Sequence, residues 1–198
     1  MLAEKTEKTR ITYKEYAQLK DDIRREVIDG VIHLLMPGAS CGHQAVVLEL
    51  ARLLSNHLKG HRCKVMMAPF DVRLNPHDKD DNVFQPDVMI ICDPRKLENG
   101  KHCLGAPDMV FEVLSPSTDK RDKVLKLPRY FEHGVKECWL IDPVKETVLV
   151  YKLNEVKDPD EDTADEVLDV HLYENKGDPV IFIELIDLEV KVSDLFTE

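Results

Sequence analysis

Two stretches decide the fold: Gln85-Pro86-Asp87-Val88-Met89-Ile90-Ile91 and Pro107-Asp108-Met109-Val110-Phe111-Glu112-Val113-Leu114. Each is a short apolar run, rich in β-branched residues and opened by a proline, and so reads as a buried strand. A carboxylate in or beside such a strand is costly unless it is paired, hydrogen-bonded or bound to a metal. Asp87 and Glu112 on neighbouring strands could share one divalent cation. A basic segment follows, Lys120-Arg121-Asp122-Lys123-Val124-Leu125-Lys126. Two carboxylates and a lysine are the equipment of a metal-dependent phosphodiesterase.

Outward from this centre the chain alternates between helix and strand signals. Thr12-Tyr13-Lys14-Glu15 has the form of a capping box and predicts a short helix ending near Lys20. Ile23 to Ile28 and Val31 to Met36 flank Asp29-Gly30, a strong hairpin turn signal. Ser40 caps a predicted helix from about Gly42 to Leu58, whose apolar residues recur at helical spacing. Cys63 to Met67 and Phe70 to Leu74 read as strands around Pro69, and 75–82 as a polar loop. A helix is expected from Asp119 to His133, disturbed or restarted by Pro128 and ended by Gly134. Cys138 to Ile141 and Thr147 to Tyr151 form a strand pair. The acidic stretch 155–166 reads as a solvated loop. Val167 to Leu172 and Val180 to Leu185 read as a last hairpin. The order predicts an α/β (α+β) mixture with a mixed sheet rather than a regular βαβ repeat.

The chain has 198 residues, 43 % hydrophobic and 33 % charged, as in a globular protein of one domain, 1–198. No apolar stretch spans a bilayer and Met1-Leu2-Ala3-Glu4-Lys5 holds no apolar signal core, so a cytoplasmic, membrane-free protein is expected. The five cysteines lack close Cys-x-x-Cys spacing; Cys63, Cys92 and Cys138 read as small reduced core residues. A net charge of −11 argues against a general nucleic-acid coat protein but not against a nuclease. Charge is polarised: 119–129 is basic and 155–166 carries seven acids and one lysine. There is no Gly-x-Gly-x-x-Gly and no phosphate-binding loop, which disfavours a nucleotide cofactor.

Mg²⁺ suits a site of one or two carboxylates completed by water and phosphate. Asp87 and Glu112 are the candidate ligands, and Mn²⁺ is a possible substitute. Lys126 is the candidate lysine, because a helix after the Glu112 strand could fold back over its end; Lys123 is the substitute. Against this, a Pro-Asp dipeptide is most often a strand-start turn, and Glu112 could face solvent. Glu26 reads either as an additional metal contact or as a salt-bridged strand residue. His43 reads as a phosphate contact or as a helix-start residue bonding a carbonyl. Gln44 beside it carries a weaker signal. The 120–129 cluster reads as a DNA-backbone contact or as a solvated helix face.

Over most of its length, from about Thr12 to Phe196, the chain resembles the Uma2-type family described as "putative restriction endonuclease", within the PD-(D/E)XK nuclease superfamily. The resemblance is carried by Glu26-Val27-Ile28-Asp29-Gly30, Ser40 to Gln44, Ala68-Pro69-Phe70-Asp71-Val72, Gln85-Pro86-Asp87 and Gly105-Ala106-Pro107-Asp108. It continues through Glu112-Val113-Leu114-Ser115-Pro116-Ser117-Thr118, Arg121-Asp122, Lys126, Tyr130, Gly134-Val135 and Trp139 to Pro143. It implies a restriction-endonuclease-like mixed β-sheet flanked by helices, with Asp87 and Glu112 as metal ligands. The superfamily's lysine, two residues after the acid, falls at Leu114; a lysine displaced onto the next helix points to Lys126.

The resulting expectation is a Mg²⁺-dependent endonuclease, a hydrolase acting on DNA phosphodiester bonds. The alternatives are a catalytically inactive relative that binds nucleic acid or regulates a partner, and a structural interaction protein with buried acids. A homodimer is expected, since two-fold pairing is the simplest way to cut both strands with one site per chain.

Overall fold

In the computed structural model, which describes residues 10–35, 38–116, 118–157 and 164–196, a six-stranded mixed sheet carries the core. The first helix, α1 (Tyr13–Tyr16), is shorter than predicted; Glu15 reaches back to the Thr12 N–H at 2.7 Å, as in a capping box. β1 (Arg25–Ile28) and β2 (Val31–Leu34) pair antiparallel. Asp29 and Gly30 between them hold φ of 50° and 76°, the turn geometry that an Asp-Gly pair favours. Met36, the expected end of β2, lies outside the described residues.

α2 (Cys41–His57) starts where the Ser40 hydroxyl accepts the His43 N–H at 3.2 Å. Its buried residues Val46, Val47, Leu50, Ala51 and Leu54 form the predicted apolar stripe. β3 (Lys64–Met67) follows as expected, but only Val72–Arg73 of the predicted Phe70 to Leu74 strand pairs, as β4. β5 (Val83–Phe84) is a two-residue strand with no period to read. β6 (Val88–Ile91), β7 (Cys103–Leu104) and β8 (Met109–Val113) lead to α3 (Asp119–Arg121), a π-helical turn (Asp122–Lys126) and α4 (Leu127–Glu132).

β9 (Glu137–Asp142) precedes two long strands, β10 (Thr147–Lys157) and β11 (Ala164–Glu174), which pair along their whole length. Residues 155–157 and 164–166 are therefore strand rather than the predicted solvated loop; 158–163 lie outside the described residues. Over 166–172 β11 is exposed on both faces, so its acids Glu166 and Asp169 stay hydrated within the strand. β12 (Val180–Ile183) pairs with β13 (Leu188–Lys191) and not with 167–172, so the predicted last hairpin is corrected.

The large sheet runs β11-β10-β9-β8-β6-β3, with β8 and β9 parallel and its other pairs antiparallel. A smaller sheet runs β2-β1-β5-β4-β7. Side chains of β8 alternate between two cores. Met109, Phe111 and Val113 face α2 and the β12–β13 hairpin; Val110 and Leu114 join Ile28, Val72, Phe84, Leu127 and Tyr130. Glu112 shares the parity of the second set, so its carboxylate enters an apolar layer.

Cys63 and Cys92, expected to be reduced, form a disulfide. β3 pairs antiparallel with β6 so that Lys64 faces Ile91, which sets Cys63 against Cys92. A separation of 29 residues carries no sign of that contact. Cys138 is buried and free, as expected. Among the described residues no helix is long and apolar enough to cross a membrane.

Candidate active site

A groove of about 1070 Å³ opens where β1, the start of α2, the start of β6, the end of β8 and the π-helical turn meet. Glu26, His43, Gln44, Asp87, Glu112 and Lys126 all line it. Lys123 does not; its ammonium pairs with Asp119 at 2.5 Å. Leu114 is buried in the second core, away from any lysine role.

Local sequence explains how each side chain arrives. His43 lies one and two turns before Val47 and Leu50 on the stripe of α2 that packs on the sheet, so its ring turns inward. Its Nε2 lies 3.3 Å from Asp87 Oδ2. The same carboxylate oxygen accepts the Val113 N–H at 2.9 Å, tying the start of β6 to the end of β8. Asp87 thus holds the residue after Glu112 in place. Its side chain stays 23 % exposed to the groove. The neighbouring Gln85 donates its backbone N–H to Glu26 Oε1 at 2.9 Å. The Gln-Pro-Asp stretch therefore binds one acid through its backbone and positions another through its side chain.

Lys126 is buried, and its ammonium sits 2.6 Å from Glu112 Oε1, 2.8 Å from Glu26 Oε1 and 3.6 Å from Asp122 Oδ1. Tyr130 donates its hydroxyl to the same Glu112 oxygen. Asp122, Lys126 and Tyr130 stand four residues apart, so one helical face delivers all three. Asp122 and Tyr130 escaped the sequence reading of the site. Their i, i+4, i+8 spacing around Lys126 is the signal that could have found them. Pro128 explains the widened turn. It has no N–H, and its ring would crowd the carbonyl of residue 124 in a regular helix. Instead the Leu127 N–H reaches five residues back, to the Asp122 carbonyl.

The predicted 120–129 cluster divides. Arg121 and Lys126 turn inward, Lys123 pairs with Asp119, and Arg129 pairs with Asp29 and Glu132, each at 2.7 Å. Glu112 is buried, which removes the alternative reading in which it faces solvent. Glu26 is the salt-bridged strand residue of one reading and also lines the groove, as the other requires.

Electrostatically the site is overfilled with acid. Asp22, Glu26, Asp87, Glu112 and Asp122 outnumber the permanent cations of the lining, Arg24, Arg121 and Lys126. Burial, and then the carboxylates of Asp122, Asp87 and Glu26, push the Glu112 carboxyl up to about 8, against the pull of Lys126. Burial also raises Asp122. Desolvation opposes charge on Lys126, but Glu112, Glu26 and Asp122 together hold it firmly as an ammonium. Asp87 raises the His43 imidazole above its ordinary value. One further atom is unusual: Glu26 Oε2 is buried and accepts no hydrogen bond among the described residues, with Arg121 Nε 3.5 Å away.

These residues fit a hard divalent cation. Oxygen donors converge on one groove, negative charge is in surplus, and a buried carboxylate oxygen lacks a donor. Among the described residues no three His, Cys, Asp or Glu side chains form a ready-made cage. A magnesium site needs none, because one or two carboxylates suffice when water and phosphate complete the shell.

Comparison with known proteins bears on the family and the fold. The family model Uma2, described as "Putative restriction endonuclease", matches residues 13–177. An uncharacterized Synechocystis protein, slr1290, is 30 % identical over 134 residues, covering 67 % of this chain and 68 % of its own length. A second, sll1609, is 30 % identical over 123 residues, covering 61 % and 67 %. The fold is that of a crystal structure from Anabaena variabilis titled a putative nuclease belonging to DUF820. The TM-score is 0.71 at 22 % identity, over 94 % of this chain and 97 % of that one.

Proposed function

The chain belongs to the Uma2 family, and from that premise we propose that it is a metal-dependent endonuclease that hydrolyses DNA phosphodiester bonds. The observation that carries this reading is the Lys126 ammonium, buried between Glu26 and Glu112 on the wall of the Asp87 groove. A lysine so deeply enclosed is held for its charge and position rather than for contact with solvent.

Asp87 and Glu112 would hold Mg²⁺, or Mn²⁺ in its place. When bound, such a cation supplies Lewis acidity toward the phosphate and a more acidic bound water. The remaining chemistry falls to side chains. Lys126 is fixed as an ammonium, so it does not act as a base; it offers positive charge where a phosphate gains negative charge. Tyr130 keeps its proton, because burial and Glu112 hold its hydroxyl well above the ordinary range, and it locks the orientation of Glu112. His43, favoured as imidazolium by Asp87, is placed to hold or donate a proton at Nε2. Arg24 lines the same groove and donates from Nε and Nη2 to the neutral Gln85 Oε1, at 3.1 and 2.9 Å. Its charge stays available to a neighbouring backbone phosphate.

A second reading, nucleic-acid binding without cleavage, is favoured by one observation: the Lys126 ammonium already takes up the Glu112 oxygen on its side toward Glu26. Purified protein incubated with plasmid DNA and Mg²⁺ or Mn²⁺ separates the two. Cleavage that Asp87→Ala abolishes is the expected result. Salt-sensitive binding with no cleavage under either metal would replace the nuclease reading by the second. The active species is a two-fold homodimer in this reading, one groove for each strand.

A further inference from the structure

We propose that the free edge of β11 docks a second copy of this chain, in a two-fold antiparallel register centred on Val170. This rests on the homodimer reading above and is independent of catalysis.

β11 closes one end of the six-stranded sheet, and among the described residues no strand pairs with its outer side. The direction of its backbone groups follows from two hydrogen bonds. The Leu153 N–H donates to the Lys136 carbonyl, so odd-numbered residues of β10 turn toward β9. The Asn175 N–H donates to the Glu146 carbonyl, so odd-numbered residues of β11 turn toward β10. Peptide groups alternate along a strand. Those of Glu166, Leu168, Val170, Leu172 and Glu174 therefore point to the open edge. An edge this long and unpaired is a template for another strand.

The side chains select the occupant. Leu168, Val170 and Leu172 are 43 %, 48 % and 59 % exposed, on one face, opposite Leu153, Tyr151 and Leu149 of β10. Glu166 and Glu174 end this apolar plate on its own face, and Asp169 and His171 lie on the opposite face on either side of its centre. Pairing β11 with its own copy about Val170 sets Leu168 against the partner's Leu172, twice. It also sets Asp169 against the partner's His171, twice, an opposite-charge pair when the imidazole is protonated. Val167 then meets the partner's Tyr173. Only registers with an even offset keep both apolar plates on one side. Moving the centre to Asp169 opposes Asp169 to itself and Leu172 to Glu166. Moving it to His171 opposes Leu168 to Glu174. The Val170 register alone among these three opposes no apolar side chain to an acid and sets Asp169 against His171; its one like-charge pair, Glu166 with the partner's Glu174, lies at the two ends of the paired edge. It also places the open peptide groups of both copies in hydrogen-bonded pairs. At its centre β10 is still backed by β9, Tyr151 facing Cys138, so the docking edge is firm.

Sedimentation equilibrium at micromolar concentration tests this on the full chain. Wild type is expected to be dimeric. Val170→Lys opposes two lysines across the axis and should raise the dissociation constant at least about tenfold, with circular dichroism unchanged. Leu168→Lys should weaken the dimer similarly, and adding Leu172→Glu should restore it, because position 168 meets the partner's 172. A dimer unaffected by either lysine substitution overturns the edge assignment and leaves the dimer reading standing. Weakening by Leu168→Lys that Leu172→Glu fails to rescue overturns the register. A monomeric wild type overturns both, and leaves the edge to a strand from another protein.

Discussion

Replacing Lys126 with methionine is the perturbation that best tests the site, because it removes charge while keeping chain length. The ammonium lies 2.6 Å from Glu112 and 2.8 Å from Glu26. At an effective dielectric of 20, each contact with an ionised carboxylate is worth about 6 kcal/mol of Coulomb attraction; Glu112, raised to about 8, reaches that only in alkaline buffer. Most of that is offset by the desolvation of the buried charges, so the intact pair says little about net stability. Removal is different: Glu26, Glu112 and Asp122 stay buried with their main counter-charge gone. Breaking such a pair costs about 3–5 kcal/mol, which for a chain of this size lowers Tm by about 10 °C. The loss should be partly recovered by millimolar Mg²⁺, since the emptied space is lined by carboxylates, and the wild type should gain less from the same metal. Urea denaturation with and without Mg²⁺ measures both effects, and plasmid cleavage should be lost throughout. A destabilisation below about 1 kcal/mol would refute the reasoning, because the buried ammonium would then be doing no electrostatic work.

Three further outcomes follow from the same geometry. Lys123→Met should leave cleavage and stability unchanged within about 0.5 kcal/mol, because its partner Asp119 is an exposed ion-pair neighbour one turn away; loss of plasmid cleavage would return Lys123 to the site. Metal-free protein should lose stability as pH rises. The Glu112 carboxyl, raised to about 8 from an ordinary 4.5, contributes fully below the ordinary value and loses that contribution as pH climbs through 8. Glu112→Gln should flatten that slope in denaturation midpoints between mildly acidic and mildly alkaline buffer, and an unchanged slope would sink the assignment. Gly30→Ala should destabilise by about 1–3 kcal/mol in the same assay, because φ is +76° and an added Cβ would lie 2.8 Å from Arg10 Cβ.

Much of this was legible in the sequence wherever a period or a turn signal was long enough to act alone. α2 shows it best: a cap at Ser40 and an apolar stripe over four turns fixed both its limits to within a residue or two. The Asp29-Gly30 turn did the same for the first hairpin. β5 and β13 were invisible because their signals are set by partners, not by local pattern. The long β10–β11 hairpin was hidden under seven acids, since charge reads as loop when the strand has few neighbours to bury it. Asp87, Glu112, Glu26, His43 and Lys126 were all named in advance, yet what gathers them is tertiary. Asp87 bonds the backbone of Val113, and Gln85 bonds Glu26 across 59 residues. No spacing rule contains those contacts.

The position of the lysine shows what the fold gains from the irregular helix. On β8, Glu112 and the residue two further on face the same apolar layer, and Leu114 fills its place there. A lysine at 114 would have to leave that layer with its charge intact, whereas Lys126 enters from above with Glu26, Glu112 and Asp122 already waiting. Its height over Glu112 is set by the π-helical turn, which Pro128 enforces from two residues downstream. The proline that looked like a defect in the predicted helix is thus a spacer. With that turn widened, Asp122, Lys126 and Tyr130 face the strand together, and the Lys126 ammonium meets Glu112 from the helix.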